Sequence, residues 1–168
     1  MTQPTAVPFN PELDLRIERV IPTPRAKVWR CWTEPDCLTH WFCPRPWRAT
    51  ECRIDLRPGG LFFTRMAGPE GESFAGDGSY LEVSAPSRVV WTNAMLPGWR
   101  PASSGGAASC GDFAFTVVLE LEETAGGTLY RATALHATPE DRAKHESMGF
   151  DQGWNAALDQ LVDFAAGL

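Results

Sequence analysis

Apolar and polar positions change rhythm several times along this chain. At the start Leu13, Leu15, Ile17 and Val20 are interleaved with Asp14, Arg16, Glu18 and Arg19, close to the period of two that marks a half-buried strand. Pro22 ends that pattern. Between Pro24 and Thr33 the spacing turns helical, with Val28, Trp29 and Trp32 recurring on one side, Thr23 placed to cap and Pro24 suited to a first helical position. A second short helix starts at Glu34 and Pro35, carries Cys37, Leu38 and Trp41, and is stopped by Pro44 and Pro46.

From Trp47 onward the pattern becomes strands separated by turn residues, the clearest being Arg57-Pro58-Gly59-Gly60, Gly68-Pro69-Glu70-Gly71 and Ser84-Ala85-Pro86-Ser87. Strands are predicted over 47–55, 60–66, 74–83, 88–94, 113–122 and 128–136, and residues 13–21 add a seventh. The short turns favour an antiparallel meander. Phe113, Phe115, Val117, Leu119 and Leu121 share one face while Thr116, Glu120 and Glu122 share the other, so the sheet has a dry side and a wet side. Residues 97–111 lack periodicity and are rich in small and helix-breaking residues, which predicts a mobile loop and a lid. Residues 139–146 are polar; then Phe150, Trp154, Leu158, Leu161 and Ala165 step at three- and four-residue intervals, which predicts the main helix.

That order, strand, two short helices, six strands and a long last helix, gives an α+β class. The terminal helix must lay its apolar stripe against the dry face of an antiparallel sheet curved around it. Curvature leaves an apolar hollow between them, the kind of space that takes small molecules. A length of 168 residues with 43% apolar content predicts a single domain over 13–168, preceded by a disordered or extended segment over 1–12.

Composition narrows the partners. A formal charge of -6 repels phosphate backbones and anionic lipid, so neither nucleic acid nor a membrane surface is expected. The opening residues lack a basic-then-hydrophobic leader, and no window approaches the roughly 18 apolar residues of a spanning helix; a cytoplasmic protein is expected. Cys31, Cys37, Cys43, Cys52 and Cys110 make an odd number in a chain large enough to fold without staples, so reduced thiols are expected.

The stretch Asp55-Leu56-Arg57-Pro58-Gly59-Gly60, the run Gly78 to Val83, the run Arg88 to Thr92, the motif Trp41-Phe42-Cys43-Pro44 and the segment His145 to Trp154 together resemble the stand-alone bacterial branch of the SRPBCC superfamily. Its domains have the START-like, helix-grip fold. More narrowly, the sequence is similar to the heat-shock-protein-90 ATPase activator homologue family, often labelled polyketide-cyclase-like. The matching blocks span about residues 13 to 166. The family pattern often has Gly where this chain has Cys43, and the 97–111 loop is longer than in many relatives. The resemblance implies a seven-stranded curved sheet wrapped around the C-terminal helix. It also carries a link to a chaperone ATPase.

Seven Trp is several-fold above ordinary use, and each can bury about 150 to 250 Å². Trp41, Trp91 and Trp154 lie on elements facing the expected hollow, with Tyr130, Phe150 and Leu158; Trp99 lies on the loop above it, and Tyr80 and Met148 near its mouth. These residues and His136 form the expected ligand-binding set, and core packing is the competing account for each aromatic. His136 shares the inner face of the last strand with Tyr130 and is the candidate general acid or base; a histidine bonded to a backbone carbonyl is the plainer account. His145 and Glu146 read as a polar cap beside the last helix. Cys37, His40 and Cys43 are spaced C-x2-H-x2-C, but Pro44 ends the helix at the third residue, and buried small thiols account for them without a metal. No cofactor is implied. The nucleophile elbow G-x-S-x-G is absent, and Gly59-Gly60 opens no helix, so neither a hydrolase nor a nucleotide-binding loop is supported.

The expected function is binding of a small hydrophobic molecule in an internal apolar cavity. The alternatives are a cyclase or dehydratase acting on a polyketide-like or aromatic substrate there, and regulation of a chaperone ATPase. Homodimerisation through a sheet edge is left open.

Overall fold

The computed structural model describes residues 7–103 and 112–168. Leu13 and Asp14 donate their backbone N–H groups to the Asn10 carbonyl, and this turn leads into β1 (Asp14–Ile21). Alternation buries Leu15, Ile17 and Ile21, but Val20, expected with them, falls on the opposite face and is 62% exposed, while Asp14, expected among the polar positions, is buried. Helices α1 (Arg25–Thr33) and α2 (Pro35–Leu38) follow. Thr23 does not cap α1, contrary to expectation: it is buried, its carbonyl accepts the Thr128 hydroxyl at 2.6 Å, and Pro24 takes the N-cap position.

The meander consists of β2 (Arg48–Ile54), β3 (Leu61–Ala67), β4 (Ser73–Ser84) and β5 (Arg88–Thr92). Then comes a small hairpin of β6 (Met95–Leu96) and β7 (Arg100–Pro101), and the sheet resumes with β8 (Phe115–Thr124) and β9 (Gly127–His136). The seven-stranded sheet has the order β1-β9-β8-β5-β4-β3-β2, antiparallel at every pair. The hairpin occupies part of the segment expected as a loop, because two-residue strands are too short to produce periodicity. Residues 104–111, on which the lid expectation also falls, lie outside the described residues.

β1 lies at one edge of the sheet and pairs with β9, far away in sequence. Its register on β9 runs from Asp14 opposite Leu135 to Ile21 opposite Thr128. Just before the ladder, the Leu13 carbonyl accepts the backbone N–H of His136 at 3.1 Å.

Helix α3 (Pro139–Ser147) was not foreseen. Thr138 caps it, its hydroxyl accepting the Asp141 N–H at 3.1 Å, and Pro139 opens the first turn. Gly149, at φ 88, makes the left-handed joint to α4 (Phe150–Ala165), a conformation costly for any side-chain-bearing residue. Phe150, Ala157, Leu158, Leu161 and Ala165 of α4 are buried and join Ile17, Val117, Leu119 and Ala132 in one core. Truncating a fully buried leucine such as Leu161 removes about 2 to 5 kcal/mol. At the rim Arg19 reaches from β1 to Asp159 at 2.8 Å and to Asn155. A seven-stranded antiparallel sheet curved over a long final helix is the helix-grip fold.

Candidate functional site

Between α4 and the concave face of the sheet lies a cavity of about 290 Å³. The alternation of β3 sends Phe62, Thr64 and Met66 into it. On β4 the neighbouring wall is Gly76 and Gly78, where missing side chains leave the space open. A Cβ on Gly78 would come within 2.8 Å of the Thr92 carbonyl oxygen, so the close approach of β5 also requires glycine there. Trp91, Phe113, Phe115 and Tyr130 continue the wall, and Phe150, Gly153, Trp154 and Ala157 of α4 close it. Exposed Asp77 and Met148 stand at the mouth.

The indoles on the α1 and α2 side turn their polar edges away. Trp41 Nε1 donates to the Cys31 carbonyl at 3.0 Å and Trp32 Nε1 to the Tyr130 hydroxyl at 3.2 Å, so both can pack their apolar surfaces against neighbouring rings. Trp91 Nε1 is buried with no partner among the described residues. The α2–β2 connection is held by one amide: Gln160 donates to the carbonyls of Trp41 at 3.1 Å and Cys43 at 2.6 Å, and accepts the Arg45 N–H at 2.9 Å.

Of the residues expected at the site, Trp41, Trp91, Tyr130, Met148, Phe150 and Trp154 border the cavity. The other four do not. Tyr80 packs behind Phe62, ring centroids 5.5 Å apart, and Leu158 points deeper into the core, 1% exposed. Trp99 sits at the tip of the β6–β7 hairpin with φ 66 and lies over Gly59, and it is not one of the residues that line the cavity. His136 is on the inner face as expected, but a second histidine stands between it and the hollow.

That second histidine is His145, which is no polar cap. It is 8% exposed, on the inward side of α3, and borders the cavity. Its Nδ1 lies 2.8 Å from Nε2 of His136, and Nδ1 of His136 lies 2.8 Å from the Leu13 carbonyl oxygen. The rings of Phe115, Phe113 and Phe150 surround it with centroids 4.9 to 5.1 Å away. Burial, with His136 adding to it, pushes His145 down to about 4. Burial likewise lowers His136, against the raising effects of the Leu13 carbonyl, Asp14 and Asp141. Both rings are therefore neutral at pH 7.

The thiol-and-imidazole group of α1 and α2 is dispersed. Cys37 Sγ donates to the Glu34 carboxylate at 3.4 Å, and His40 stacks on Phe164 with its Nδ1 donating to the Asp36 carbonyl at 2.7 Å. No cluster with metal-holding geometry occurs among the described residues. No helix among them is long and apolar enough to cross a membrane.

Comparison with known proteins places this geometry in a lineage. A protein from Nitrosomonas europaea of known structure is 42% identical, the match covering 95% of this chain and 97% of that one with a TM-score of 0.86. A Rhodobacter sphaeroides protein is 24% identical over 94% of each chain, TM-score 0.80, and an activator-like protein from Aeromonas hydrophila is 24% identical over 92% and 93%, TM-score 0.64. Among curated proteins none matches. Residues 22–166 match the family described as "Activator of Hsp90 ATPase homolog 1-like protein". With that match over most of its length and the helix-grip architecture, the chain belongs to the activator of Hsp90 ATPase homologue 1-like family within the START-like, SRPBCC superfamily.

Proposed function

We propose that the protein binds a small, predominantly apolar aromatic molecule between α4 and the sheet. The observation that carries this reading is the cavity itself, about 290 Å³ walled by aromatic rings. A space of that size in a close-packed interior forfeits dispersion contacts that a ligand would restore. An engineered apolar cavity of about 150 Å³ takes benzene, so this one suits a guest about twice that size.

The test is titration of the purified protein with naphthalene and other two-ring aromatics, followed by tryptophan fluorescence, since Trp41, Trp91 and Trp154 border the space. A saturable change that disappears in Gly153→Leu is the expected result; flat titrations across the panel would refute the reading. A proton-transfer enzyme acting on an aromatic or polyketide-like substrate is the second reading, favoured by the buried imidazole of His145 at the cavity wall. Regulation of a chaperone ATPase rests on the family description alone, and stimulated ATP turnover by a chaperone partner is its test.

A further inference from the structure

Resting on that binding role, we infer that the ligand is a neutral hydroxyl donor on an aromatic frame, a phenol or an enol, whose O–H bonds to Nε2 of His145.

The argument starts from a backbone oxygen. The Leu13 carbonyl can only accept, so the proton in its 2.8 Å contact belongs to Nδ1 of His136. In neutral His136 the other nitrogen, Nε2, then carries a lone pair. The 2.8 Å contact with His145 must be donated by Nδ1 of His145, and a neutral His145 is left with a lone pair on Nε2. One backbone carbonyl thus fixes two tautomers in series and presents an acceptor at the cavity wall. Nε2 of His145 has no hydrogen-bond partner among the described residues and is not among the polar atoms shut off from solvent, while the residue as a whole is 8% exposed.

The surroundings protect this state. The charged groups acting on His136 are Asp14, Asp141 and Arg142, while the groups closest around His145 are His136 and the aromatic rings of Phe113, Phe115, Phe150 and Trp154. Lys144 turns its ammonium over the Phe113 ring, 5.9 Å from the centroid. Among the described residues neither lysine nor arginine lines the cavity, and Asp77 places a carboxylate at its mouth. A carboxylic acid would enter against charge and find no cation inside. A phenol carries the donor that Nε2 lacks, and its ring matches the walls.

The experiment compares 2-naphthol, 2-methoxynaphthalene, naphthalene and 2-naphthoate on the full-length protein at neutral pH. A net hydrogen bond at an acceptor facing the cavity should favour 2-naphthol over its methyl ether by about tenfold, and 2-naphthoate should bind more weakly than naphthalene. His145→Phe should abolish the preference for 2-naphthol over its methyl ether, with naphthalene titrated on the same variant for reference. Equal binding of naphthol and its ether overturns this inference while leaving the binding role intact; no binding by any of the four overturns both. Nitrogen-15 NMR of the histidine rings in the unliganded wild type provides a readout independent of the variant's folding. An unprotonated Nε2 on His145 is expected, and a protonated one overturns the inference whatever binds.

Discussion

Burying two neutral imidazoles in series carries a stability cost that acid should expose. An unfolded chain protonates its histidines near pH 6.5, whereas folded His145 resists protonation until about 4. Between those values the unfolded state binds a proton that the native state refuses, so stability falls with acidification. At about 1.4 kcal/mol per pH unit, the interval down to about 4 corresponds to a loss of about 3 kcal/mol from His145. His136 shifts in the same direction and adds to the loss. The assay is urea unfolding of wild type and His145→Phe at closely spaced pH values from 7.5 down to 4.5. The variant begins less stable, because His136 Nε2 then lacks its donor at a cost of about 1 to 3 kcal/mol; the comparison is between slopes. A clearly shallower decline in the variant above pH 5, where carboxylates contribute least, is expected. Parallel curves from 7.5 to 5 would refute the claim that His145 is held neutral by burial.

Three further outcomes follow from single contacts. Gly153→Ala should stabilise the protein by up to about 1 kcal/mol in thermal or urea unfolding, since glycine is unfavourable inside a helix and the added Cβ meets Pro44 at an ordinary 3.8 Å. Gln160→Leu should cost about 1 to 3 kcal/mol in urea unfolding, because it removes the hydrogen bonds that Gln160 makes to the Arg45 N–H and to the Trp41 and Cys43 carbonyls together. Thr138→Ala should cost about 1 kcal/mol and increase hydrogen exchange in the first turn of α3, where the Asp141 N–H loses its acceptor.

The strands were legible because each packs one face. The alternation of Leu15 and Ile17 in β1, or of Val117, Leu119 and Leu121 in β8, is a direct image of a sheet wet on one side. The final helix was legible for the same reason at a helical period. Helix α3 escaped because only His145 among its nine residues is buried, so it has no apolar stripe to detect. The signal that was present was local: Thr138 followed by Pro139 and Asp141, a helix start by capping chemistry. The aromatic character of the cavity could be foreseen from composition and face. Its polar point could not, because the role of His145 depends on which atom of the turn leading into β1, more than a hundred residues earlier, lies opposite His136. Trp99 misled for a related reason, since a tight hairpin folded it over Gly59.

The oxygen that orients the paired imidazoles belongs to the main chain, at a position set by how β1 lies along β9. Exchanging the Leu13 side chain therefore leaves that acceptor in place, and mutational drift at this residue is silent for the chamber's polarity. Sliding the first strand by one residue would turn a neighbouring peptide unit toward His136 and rewrite the chamber's chemistry without altering a single side chain inside it.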